Sequence, residues 1–190
     1  MSRDGYTLKD DRLITTQNLI NELDSCQEGK AWKQYENICM RILTYLFVPT
    51  LEMPRMQLRT ESGIDIRDAV FPNRSRNDNW RLIRDDYDGR YIVFEFKNYS
   101  KDGREIDKQT ILQLGNYLKR ETIGRFGIIC SKKHPSNSGL EKRKEIFKDE
   151  RKLILFMNNE HLKEMLMRKY NNEDPSNVII GLIDEFNFGF

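Results

Sequence analysis

The stretch YIVFEFKNYS, residues 91–100, places an acid and a base two positions apart inside a run that is otherwise β-branched and aromatic. Such a run favours a strand in the interior of a sheet. Residues i and i+2 of a strand project to one side, so Glu95 and Lys97 share a face while Phe94 and Phe96 share the other. Burying an unpaired carboxylate and ammonium is costly, whereas a cleft that holds a divalent cation and a phosphate gives each a partner. The pattern therefore predicts a central strand that ends in a site of chemistry.

Working outward from this strand, Asp88-Gly89 marks a tight turn leading into it. Upstream, RMQLRT (55–60) and IDIRDAVF (64–71) alternate around Glu61-Ser62-Gly63, which predicts a hairpin over about 55–71. PNRSRNDN (72–79) reads as a loop and WRLIRDDY (80–87) as one or two helical turns. Earlier still, KAWKQYENICMRILTYLF (30–47) sets Trp32, Tyr35, Cys39, Ile42, Leu43 and Leu46 three or four apart, an amphipathic helix. A less periodic helix precedes it from about Leu8 to Leu23, and Pro49 and Pro54 break the pattern.

Downstream, DKQTILQLGNYLKR (107–120) reads as a helix and RFGIICS (125–131) as a short buried strand, so a helical crossover joins two sheet neighbours. A charged helix over about 138–150, a strand KLILFM (152–157) and a helix from about Glu160 to Tyr170 follow. A last helix is expected to open at Asp174-Pro175, an N-cap followed by proline. The order helix, three strands, helix, strand, helix, strand, helices predicts an α/β fold with a mixed sheet covered by helices on both faces.

A chain of 190 residues with 38% hydrophobic and 33% charged residues is expected to form one globular domain over 1–190. No apolar run approaches the ~20 residues that span a bilayer, and the first residues lack a charged-then-apolar signal pattern. Three cysteines, Cys26, Cys39 and Cys130, are odd in number and lack metal-ligand spacing, which points to a reducing cytoplasm. The net charge of +2 means that any polyanion would be held by a local patch.

Holding Mg²⁺ beside Glu95 requires a second carboxylate. Asp65 follows Gly63 at the start of the strand ahead of Glu95's, and Glu36 lies on the apolar stripe of its helix, where an acid asks for a partner. These residues resemble the PD-(D/E)xK, or restriction-endonuclease-like, nucleases. That family's pattern is an acid opening one strand and Glu-x-Lys on the next, within a helix, three strands, helix, strand core. Here Asp65 in SGIDIRDAVF and Glu95-Phe96-Lys97 in VFEFKNY match it, over a core of about 30–131. Gln113 and Tyr117 in QLGNY resemble the Gln-x-x-x-Tyr element of several branches, and Glu36 the acid that some branches supply from the first helix. The family's proline before the first acid is Ile64 here, which leaves Asp68 as a rival to Asp65, the two facing opposite sides of a regular strand.

The resemblance implies metal-assisted phosphodiester hydrolysis, most readily of DNA, with RNA as the other substrate. Asp65, Glu95 and the Phe96 carbonyl would hold Mg²⁺ or Mn²⁺, with Glu36 as an outer ligand. Lys97 would orient the attacking water and stabilise developing negative charge, and Gln113 and Tyr117 would touch the phosphate or brace the ligands. Members of the family commonly pair, so a homodimer is implied. Many small members serve a sensing protein in bacterial restriction or antiphage defence, which implies a regulatory partner. The competing reading is an inactive nuclease-fold module that binds nucleic acid or another protein.

Each residue also has a plainer role. Glu95 and Lys97 could form an ion pair at a sheet edge, Glu36 could face solvent, and Gln113 and Tyr117 could be a surface amide and a half-buried phenol. His134 reads as a polar loop residue. The run EKRKEIFKDERK (141–152) reads as a solvated helical face, with Lys142, Arg143 and Lys144, and more weakly Lys119 and Arg120, as candidates for a phosphate backbone. Trp80, flanked by Arg74, Arg76 and Arg81, reads as a core anchor rather than a groove-entering residue. The surplus apolar residues of NVIIGLIDEFNFGF (177–190) call for either burial against the sheet or an interface.

Overall fold

The computed structural model describes residues 8–29, 31–59, 66–99 and 105–189. In chain order the elements are α1 (Leu8–Ser25), α2 (Trp32–Phe47), β1 (Arg55–Arg59), β2 (Ile66–Pro72), α3 (Asp78–Asp86), β3 (Tyr91–Lys97), α4 (Lys108–Tyr117), β4 (Phe126–Ser131), α5 (Asn137–Glu150), β5 (Leu153–Met157), α6 (Asn159–Tyr170) and α7 (Asn177–Phe188). Among the described residues the strands form one mixed five-stranded sheet in the order β1-β2-β3-β4-β5. The first three are an antiparallel meander, and β3, β4 and β5 run parallel. The expected α/β architecture is therefore observed.

Each parallel step needs a crossover, and α4 and α5 supply them. Their apolar residues Ile111, Leu114 and Ile146 pack with Val93, Ile129 and Ile154 on one face of the sheet. Strand alternation delivers Phe94, Ile128 and Leu155 to the opposite face, where α2, α6 and α7 close a larger core. Residues 92–96 of β3 are all buried, as a strand covered on both faces must be.

The apolar stripe of α2 buries Tyr35, Ile38, Cys39, Ile42, Leu43, Leu46 and Phe47. Trp32, expected on that stripe, is instead 57% exposed at the helix's first position. Trp80 is buried and packs edge-on against Phe47, ring centroids 5.0 Å apart, so its core role is observed. It sits on α3, a nine-residue helix capped by the Asn77 side chain, which accepts from the Asn79 and Trp80 amides. The helical turns expected over 80–87 are observed and begin two residues earlier, because the Asn77 cap rather than periodicity sets the start.

The last helix opens later than expected. The Asp174 side chain accepts from the backbone and hydroxyl of Ser176, forming a turn, and Ser176 is the N-cap of α7. Val178, Ile179, Leu182, Ile183 and Phe186 are buried in the main core, so most of the apolar surplus serves burial, whereas Phe188 is exposed.

Candidate functional site

Three of the sequence-derived candidates meet at the carboxyl end of β3. Lys97 Nζ donates to Glu95 Oε1 at 2.5 Å, and the two side chains are only 17% and 5% exposed. The other carboxylate oxygen, Glu95 Oε2, is buried with no hydrogen-bond partner among the described residues. Burial raises the Glu95 pKa, Lys97 opposes that, and the Glu36 carboxylate adds to the rise. Glu36, on α2, is itself only 4% exposed, so it does not face solvent. Two acids within electrostatic reach of each other concentrate negative charge in a place water hardly reaches.

The fourth and fifth candidates lie on α4. Gln113 Nε2 donates to the Tyr117 hydroxyl at 3.1 Å, one turn along the helix. Tyr117 is 2% exposed and packs in the same apolar cluster as Val93, two positions before Glu95 on its own face of the sheet. Gln113 is exposed at the helix surface. Phe96 is buried on the opposite face, in the main core.

Asp65 lies outside the described residues. Asp68 falls within β2, although its side chain lies outside the description. Ala69 pairs with Phe94 in the antiparallel ladder, so one further position in each strand matches 68 with 95. Directly opposed positions share a face of the sheet. Among the described residues, no group of three His, Cys, Asp or Glu stands ready to hold a metal ion.

One residue at the site carries no signal in the sequence. Asn98 follows Lys97 directly, is 6% exposed, and donates through Nδ2 to the Gln27 carbonyl at 2.9 Å. Its own carbonyl accepts from the Gly29 amide at 3.1 Å, which ties the α1–α2 connection to the end of β3. The Nδ2 contact fixes the orientation of the amide, leaving Oδ1 as a second buried acceptor with no partner among the described residues. Lys132, just past β4, donates to the Cys26 carbonyl of the same connection. Two unsatisfied oxygens within three residues of each other are uncommon in a folded interior and suit a cation or ordered water.

The remaining candidates have other partners. Arg74 pairs with Glu52 at 3.0 Å and Arg81 with Asp78 at 3.4 Å, all at exposed positions. Lys142 pairs with Glu145, Lys144 donates to the Gly189 carbonyl, and Arg143 is drawn against the Phe156 and Phe186 rings, so this run is not a uniformly solvated face. Among the described residues, no helix is long and apolar enough to cross a membrane.

No protein-family model matches the chain, and no solved structure matches it. The chain is similar to the putative transposon gamma-delta 80.3 kDa protein of Escherichia coli strain K12, at 24% identity over 164 residues. The match covers 84% of this chain and 22% of that protein, so the chain corresponds to less than a quarter of its length.

Proposed function

We propose that the chain is a Mg²⁺-dependent nuclease domain with a restriction-endonuclease-like core, acting most readily on DNA. The observation that carries this reading is the buried carboxylate of Glu95, held by Lys97 through one oxygen and, among the described residues, left without a partner at the other. The topology supports it: an antiparallel meander, then a helix and a parallel strand, with Glu-x-Lys closing the third strand.

The donor set suits a hard divalent cation, since every group offered is oxygen: Glu95, Glu36, the Phe96 carbonyl and either Asp68 or Asp65. Of the two aspartates, the ladder register favours position 68, because it falls opposite 95; Asp65 remains its rival. When bound, Mg²⁺ supplies charge neutralisation at the scissile phosphate and lowers the pKa of water there. Lys97 places a fixed positive charge at the rim, where it orients the attacking water and offsets charge developing on the phosphate. Tyr117, braced by Gln113, presents a phenol from α4 on the Glu95 face. Burial around Glu95 strengthens these electrostatic contacts relative to water.

The similarity to a transposon protein is in keeping with work on DNA. Plasmid, single-stranded DNA and RNA incubated with the protein in Mg²⁺ or EDTA test the reading. Cleavage is expected only with Mg²⁺ and is expected to disappear in Glu95→Ala and in Lys97→Ala. Cleavage that persists in EDTA or in both variants overturns it. Asp65→Asn and Asp68→Asn, assayed side by side, identify the remaining acid.

A further inference from the structure

A second site lies one strand away from Glu95 and does not depend on the hydrolytic reading. A cavity of about 330 Å³ opens at the carboxyl ends of β4 and β5, within the size range of small-ligand pockets. Its floor is apolar, with Ile129, Leu155 and Phe156 among the lining residues, and its rim is basic: Lys133, His134, Arg143 and His161.

Several features of the rim suit a negatively charged group. First, Arg143 lies against two aromatic rings, its guanidinium carbon 4.7 Å from the Phe156 centroid and 5.0 Å from that of Phe186. Those cation–π contacts hold the guanidinium at the cavity wall. Second, His161 Nδ1 accepts from the Asn158 amide at 3.1 Å, so the proton of the neutral ring sits on Nε2, making that nitrogen a donor. Third, α5 and α6 both begin at this cavity, capped by Ser136 and Asn158, and their positive dipole ends converge on it. Glu185 is the opposing charge; it also lines the cavity and acts electrostatically on Arg143.

We infer that this cavity binds a phosphomonoester with an aromatic or apolar body, the chemistry of a 5′-mononucleotide. The phosphate would meet the basic rim and the base the apolar floor. The same chemistry is offered by a free nucleotide and by the 5′-phosphorylated end of a strand.

Isothermal titration of the full chain in EDTA, with AMP and adenosine as probes, tests the inference. AMP is expected to bind about tenfold or more tighter than adenosine, the value of one charge-assisted contact. A Lys133→Ala/His134→Ala double variant, altered only at the rim, is expected to lose about tenfold in AMP affinity by the same arithmetic, and Arg143→Met at least as much. The rim variant keeps the test decisive if Arg143→Met does not fold. Competition with a 5′-phosphorylated or 5′-hydroxyl oligonucleotide then separates the sources. Displacement of AMP by the phosphorylated strand alone assigns the site to strand ends, and failure of both strands to displace it assigns the site to free nucleotide. Equal binding of AMP and adenosine, no binding of AMP at millimolar concentration, or AMP affinity unchanged in the rim variant overturns the inference.

Discussion

Lys97 Nζ and Glu95 Oε1 stand 2.5 Å apart at the end of β3, and this contact sets an ammonium against a carboxylate that the fold has otherwise sealed from water. Removing the ammonium leaves a buried charge without compensation, which costs far more than an exposed pair would. Lys97→Met is expected to lower stability by about 3 kcal/mol, whereas Glu95→Gln/Lys97→Met loses less because no charge is stranded. Urea midpoints of the three proteins check this; equal losses in both variants would show that the pair is incidental.

The same carboxylate sets a pH dependence. Burial raises the Glu95 pKa, Glu36 adds to the rise, and Lys97 only partly offsets it. The folded chain therefore holds this proton more tightly than the unfolded chain. Stability contributed by protonated Glu95 is full below the ordinary carboxylate range and is lost as pH rises through the higher folded value. Wild type is thus expected to lose stability relative to Glu95→Gln as pH climbs across that window. A difference between the two proteins that stays constant with pH would refute the assignment.

Trp80 joins α3 to the main core by its edge-on contact with Phe47 and by complete burial. Trp80→Ala is expected to cost about 3–5 kcal/mol, as large aromatic deletions in cores do. The fluorescence maximum of Trp80, isolated in a Trp32→Phe background, should be that of an indole in apolar surroundings. A maximum typical of water would place Trp80 at the surface.

Gly124 occupies a left-handed conformation, φ +103°, and a Cβ there would collide with the Asp88 carbonyl. The neighbouring Arg125 amide donates to that carbonyl at 3.1 Å, tying the turn before β4 to the turn before β3. Gly124→Ala is expected to destabilise the protein by about 1–3 kcal/mol from backbone strain, with the collision added. Thermal melting checks it, with Gly181→Ala as the control, since nothing lies within 4 Å of a Cβ at that position.

Much of the architecture could be read from residue order, because local signals and burial agree there. The apolar run of 91–97 became a strand buried on both faces, and the stripe of α2 became the wall of the main core. Where a segment is short or polar, the information lies in partners distant along the chain. The cap by Asn77 that makes α3 a helix is local, but its anchoring by Trp80 on Phe47 is not. The start of α7 depends on a turn in which Asp174 accepts from Ser176 rather than capping the helix itself.

Chemistry divides along the same line. The sequence by itself determined that an acid and a base share one face of a buried strand, because alternation is a property of the extended backbone. It also marked Glu36 as an acid on an apolar stripe. Only the tertiary structure decided that Glu36 lies within electrostatic reach of Glu95, that Glu95 Oε2 and Asn98 Oδ1 have no hydrogen-bond partner among the described residues, and that Arg143 lies against two aromatic rings. Those facts depend on which elements pack together, and the burial that makes an unpaired oxygen or a stacked cation consequential does not exist until they do.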